Sequence, residues 1–118
     1  VGGLTMGADP IAAAILHQGA ARDAGYDAFV VRKEPKDHGR GKQVEGPDLQ
    51  GKRVIVLEDT STTGGSPLKA IEALEKVGAE IAAVAVVVDR STGARERIEA
   101  AGYRYLAAIG LDDLGLKP

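Results

Sequence analysis

The chain has no cysteine, so it has neither a disulfide framework nor a thiolate nucleophile, and thiolate zinc sites are excluded. Aromatic residues are scarce. Tyr26, Phe29, Tyr103 and Tyr105 are the whole complement, which leaves few candidates for stacking a planar ligand. Neither sign of charge is in excess: a net charge of -2 over 118 residues argues against nucleic-acid and membrane partners. No apolar run approaches the ~20 residues of a membrane-spanning helix. No signal peptide is visible. No repeat, linker or low-complexity segment interrupts the chain. The expectation is a soluble, cytoplasmic protein with residues 1–118 forming one domain, small for an enzyme but able to bury a core.

The most informative stretch is Val54-Ile-Val-Leu-Glu-Asp-Thr-Ser-Thr-Thr-Gly-Gly-Ser66. Its β-branched opening predicts a buried strand. The strand runs into the carboxylates Glu58 and Asp59, then into hydroxyls and glycines. Ser66 as N-cap and Pro67 at the first helical position predict a helix. Free N–H groups, threonine hydroxyls and a helix N-terminus together make an anion site. The adjacent carboxylates would repel a phosphate, so they face sugar hydroxyls or a divalent cation. The glycines are not followed by the Gly-Lys-Ser/Thr of a Walker A loop, and the stretch lacks a dinucleotide G-x-G-x-x-G.

A second glycine-rich turn, Gly2 to Asp9, leads into a helix with Asp9 as N-cap, Pro10 next, and Ile11, Ala12, Ile15 and Leu16 as its apolar stripe. Its glycines suit close approach to a ligand or packing under the helix. Ala28 to Val31 reads as a strand ending at Arg32. Lys33 to Lys52 then reads as a long loop that is either a solvated basic surface or a cationic cover for a polyphosphate. After the Leu68–Val77 helix and its Gly78 stop, Ile81 to Val88 reads as a central strand, ending in Asp89-Arg90. Arg90 either pairs with Asp89 or faces a ligand. A short helix near Ala94 to Ala101 and a strand over Tyr103 to Ala107 complete the order. That order implies an α/β fold, a parallel twisted sheet flanked by helices on both faces.

Over its thirteen residues, Val54–Ser66 resembles the phosphoribosyl diphosphate (PRPP) motif of the type I phosphoribosyltransferases. Arg32-Lys-Glu-Pro-Lys-Asp-His-Gly39 is similar to the catalytic loop of the orotate phosphoribosyltransferase family. The resemblance implies a type I phosphoribosyltransferase core that transfers 5-phosphoribosyl from PRPP to orotate, giving orotidine 5′-monophosphate and diphosphate in pyrimidine biosynthesis. It implies Arg32, Lys33, Lys36, His38, Glu58, Asp59, Thr60, Ser61, Thr62, Thr63, Gly64, Gly65 and Ser66 as PRPP contacts. Residues 4–8 would border the diphosphate, and Asp37 falls within the loop motif. Thr62 and Arg90 are implied as orotate contacts, and Lys36, His38 and Asp59 as the residues closest to the chemistry. The pKa range of His38 permits proton donation to the leaving group. Mg²⁺ is implied as cofactor, held mainly by PRPP without direct protein ligands. The implied assembly is a homodimer whose loop reaches into the neighbouring subunit's site.

The family carries a segment ahead of Val1 that covers the site, and the chain is expected to lack it. Two other readings fit the same motifs, a phosphoribosyltransferase for another base and a non-catalytic PRPP-binding regulator.

Overall fold

The computed structural model describes residues 1–34, 42–61 and 63–116. Six strands form one sheet: β1 (Gly2–Leu4), β2 (Phe29–Val31), β3 (Val44–Glu45), β4 (Arg53–Thr60), β5 (Glu80–Asp89) and β6 (Tyr105–Gly110). Their spatial order is β3-β2-β1-β4-β5-β6. All neighbouring pairs are parallel except β2 with β3, where Val30 faces Glu45 and Val31 faces Val44. The expected parallel sheet is present, with a two-residue antiparallel edge inside the segment read as one loop.

Among the described residues, three α-helices cover the sheet: α1 (Asp9–Ala21), α2 (Gly65–Lys76) and α3 (Ala94–Ala100). Side chains alternate along β4, as a strand dictates. Val54 and Val56 join Ile71, Leu74 and Ile98 in the core beneath α2 and α3. Leu57 and Ile55 turn to the other face, under Ala12, Ile11 and Ile15 of α1. Among the described residues, no helix is long and apolar enough to cross a membrane.

Both helix starts fall earlier than the capping pattern predicts. Helix α2 begins at Gly65 rather than after Ser66, because Gly64 occupies the left-handed region at φ 88° and turns the chain sooner. Helix α1 begins at Asp9, with Ala8 in the capping position. Gly78 ends the α2 turn at φ 85°, as its sequence position predicts.

The topology creates a switch between β1 and β4. From β1 the chain passes through α1 to β2 on one side, and from β4 it passes through α2 to β5 on the other. In such sheets the crevice beyond the carboxyl ends of the two strands at the switch is where ligands bind.

Candidate active site

The turn after β1 and the end of β4 meet at this switch. A Cβ placed on Gly7 would lie 3.1 Å from Cγ and both carboxylate oxygens of Asp59. The Thr5–Met6 peptide in the same turn is cis. Gly2 and Gly3, read with Gly7 as one ligand-approach turn, belong to β1. Cβ atoms there would come within 2.2 Å of the Phe29 carbonyl and 2.3 Å of the Leu57 carbonyl. They are packing glycines between neighbouring strands, and Gly7 alone of the three faces the crevice.

The acidic pair is divided by its surroundings. Burial pushes the Glu58 carboxyl up to about 7, and the neighbouring Asp59 carboxyl adds to the rise. The Asp59 carboxyl is lowered, first by its hydrogen bond with Glu58 and then by the Thr60 N–H, which donates to Oδ1 at 2.7 Å. The Asp59 N–H in turn donates to Oε1 of Glu58 at 3.2 Å. At neutral pH Glu58 is therefore partly protonated, and the pair carries less than two full charges. That softens its repulsion of an incoming phosphate while leaving Asp59 ionised and exposed.

Beyond the pair, Thr63, Gly64 and Gly65 lead into α2, whose first N–H groups receive no side-chain cap. An uncapped helix N-terminus behind a glycine loop suits an anion. Arg97, on α3, donates to the Thr63 carbonyl at 3.4 Å and brings a guanidinium to this loop. No motif singles out Arg97, because only the packing of α3 carries it there.

Ser61 departs from its expected role as a phosphate contact. It is 2% exposed, and its N–H donates to the Val88 carbonyl at 2.9 Å. Its hydroxyl donates to Oδ1 of Asp89 at 3.0 Å and accepts the Arg90 N–H at 2.9 Å. Both donors are engaged inside the fold, so neither is offered to a ligand. Asp89 also accepts the Ser91 N–H at 3.0 Å. Among the described residues, no carboxylate lies within ion-pair distance of the Arg90 guanidinium, so Asp89 and Arg90 do not neutralise each other.

Arg32 and Lys33 follow β2, beside the β1 turn. Arg32 forms an ion pair with Glu45 at 3.6 Å, with both side chains about half exposed. Such a surface pair contributes roughly 0–1 kcal/mol, weak enough to exchange for a phosphate. Lys36, Asp37, His38 and Thr62 lie outside the described residues. A cavity of about 530 Å³ between Lys42–Leu49 and Ala73–Val77 shares no residue with the cluster at the switch.

The phosphoribosyl transferase domain family matches residues 2–107, from the first strand into the last. The chain belongs to that family. It is 62% identical over 117 residues to orotate phosphoribosyltransferase of Streptomyces coelicolor, covering 98% of this chain and 64% of that protein. It is 58% identical over 116 residues to the Corynebacterium glutamicum (strain R) orotate phosphoribosyltransferase, covering 98% of this chain and 61% of that protein. The crystal structure of the Mycobacterium tuberculosis H37Rv orotate phosphoribosyltransferase in complex with PRPP superposes with a TM-score of 0.81. The identity there is 52%, over 98% of this chain and 64% of that one. The chain thus spans a little under two thirds of the length of these relatives. The mostly parallel six-stranded sheet with flanking helices is that of the family.

Proposed function

We propose that the protein is an orotate phosphoribosyltransferase of pyrimidine biosynthesis, transferring the 5-phosphoribosyl group of PRPP to orotate with release of diphosphate. The observation that carries this reading is the meeting at the β1/β4 switch. An ionised Asp59 lies against the Gly7 turn, with the uncapped α2 N-terminus following on the same loop. A diol-binding carboxylate next to an anion cradle matches a ribose 5-phosphate.

In this reading Thr60 and Thr62–Ser66 cradle the 5′-phosphate, Glu58 and Asp59 take the ribose hydroxyls, and residues 4–8 border the diphosphate. Arg32, Lys33, Lys36 and His38 meet the diphosphate, with Lys36 and His38 serving its departure. The Arg90 guanidinium, together with Thr62, takes orotate, since a fork of N–H donors suits a carboxylate or paired carbonyls. The Glu58–Asp59 pair is committed to mutual hydrogen bonding and to the Thr60 N–H, an arrangement better suited to hydroxyl donors than to direct metal ligation. Mg²⁺ is therefore assigned to the oxygens of PRPP and water, its preferred ligands. Bound there, it would offset charge on the leaving diphosphate.

The C1′–O bond to diphosphate breaks as C1′ becomes cation-like, and a ring nitrogen of orotate forms the new C1′–N bond from the opposite face, its N–H proton being released to solvent or to the departing diphosphate. The protein's task is positioning, charge stabilisation and exclusion of water. We assign the working unit as a cytoplasmic homodimer with the Lys36 loop shared across subunits.

The test is diphosphate release from PRPP with orotate, adenine, uracil or hypoxanthine as acceptor. Release with orotate alone is expected. Release with another base in its place moves the acceptor assignment. PRPP binding with no release under any base removes the enzyme reading.

A further inference from the structure

We infer that Ser61 is a positioning residue that sets the base-binding Arg90 from within the PRPP loop. Ser61 is the buried polar residue of the described core, and its hydroxyl works in both directions, donating to Asp89 and accepting from the Arg90 N–H. Its own N–H extends the β4–β5 pairing by one rung to the Val88 carbonyl. Asp89, held by Ser61, turns the chain through the Ser91 N–H, and Ser91 sits in the left-handed region at φ 57°. The direction in which Arg90 leaves β5 is thus fixed by one hydroxyl just past the end of the neighbouring strand, and the last rung by the backbone N–H of the same residue.

No apolar residue of similar size can replace that hydroxyl, because it is donor and acceptor at once. Losing it leaves the Arg90 N–H without its acceptor and takes one of two donors from Oδ1 of Asp89, which keeps only the Ser91 N–H, so the turn carrying the guanidinium loses a tether. The 5′-phosphate cradle keeps its own N–H groups. The effect therefore falls on the base and not on PRPP. This inference rests on the reading of Arg90 as the orotate contact.

The test measures Michaelis constants for orotate and PRPP in the protein and in Ser61→Ala, Ser61→Thr and Arg90→Ala. Ser61→Ala is expected to raise the orotate constant by roughly five- to tenfold, the scale of one lost hydrogen bond. The PRPP constant should stay within about twofold, since its contacts are untouched. Ser61→Thr, which keeps the hydroxyl, should return the orotate constant most of the way. Should Ser61→Ala be too unstable for kinetics, Asp89→Asn weakens the same link at constant volume and is judged by the same split. A proportional rise in both constants, or no rise in either, overturns the inference while leaving the base site in place. An Arg90→Ala protein with an unchanged orotate constant overturns the base-site reading instead, and the inference falls with it.

Discussion

Adding one methyl group at Gly7 tests the geometry of the switch directly. In Gly7→Ala the new Cβ would stand 3.1 Å from Cγ, Oδ1 and Oδ2 of Asp59, inside the 3.4 Å at which ordinary contact begins. Because all three atoms are met at the same distance, spinning the carboxyl about its own bond gives no relief. The side chain must swing away as a unit. Asp59 is exposed, so it can swing at little cost to the fold, but it then gives up the 2.7 Å bond from the Thr60 N–H. A hydrogen bond to a charged group contributes about 1.5–3 kcal/mol. If the same displacement is imposed on the ribose hydroxyl contacts, PRPP binding weakens by roughly 10–100-fold. Asp59 and Thr60 are both exposed, so water replaces the lost bond and thermal stability should change less than PRPP affinity. Calorimetric titration with PRPP alongside a melting curve separates the two. Wild-type affinity for PRPP in Gly7→Ala would refute the placement of Asp59 on the ribose.

Three further outcomes follow from the same structure. Glu58 is raised to about 7 from an ordinary 4.5, so the fold favours its protonated form. That contribution is complete below the unfolded value and is lost as pH rises through about 7. The wild-type melting temperature should therefore fall from about pH 5 to about pH 8 more than that of Glu58→Gln, and parallel curves would count against it. Ile98, fully buried beneath the PRPP loop and 3.5 Å from where a Gly64 Cβ would stand, should cost about 2–5 kcal/mol on truncation to Ala, read from urea unfolding. Lys36→Ala should lower turnover by roughly 10²–10³. Subunits exchanged with an Asp59→Asn protein should then recover up to about a quarter of the wild-type sites, a recovery that a loop acting within its own chain could not give.

The strand–acid–glycine–helix unit was legible because each step obeys a local rule. A β-branched run makes a strand, Gly64 can hold φ 88°, and Gly78 ends the helix. The five parallel strands follow from the alternation of strand and helix. What stayed hidden depends on neighbours distant in sequence. Two residues, Val44 and Glu45, carry no periodicity of their own and become a strand only by pairing with β2. Ser61 sits among threonines and glycines that suit a phosphate, and only the adjacent end of β5 turns its hydroxyl inward. The same holds for Gly2 and Gly3, whose lack of side chains answers to Phe29 and Leu57 rather than to a ligand. The roles of Lys36, His38 and Thr62 rest on motif similarity, since they lie outside the described residues.

The two faces of the sheet are unequally anchored. Beneath α2 and α3 lies a continuous apolar layer, whereas among the described residues the apolar cluster under α1 has only Ala8, Ala12 and Leu57 fully buried. Helix α1 is therefore the element whose amides should exchange with solvent through openings far smaller than global unfolding. It is also the helix that leads directly out of the Thr5–Ala8 turn, and Thr5 ties the turn to it through Asp9. In the proposed function the diphosphate borders that turn, and its binding should slow those openings. Deuterium uptake along residues 12–19 then becomes a gauge of occupancy at the crevice that needs no turnover and no second substrate.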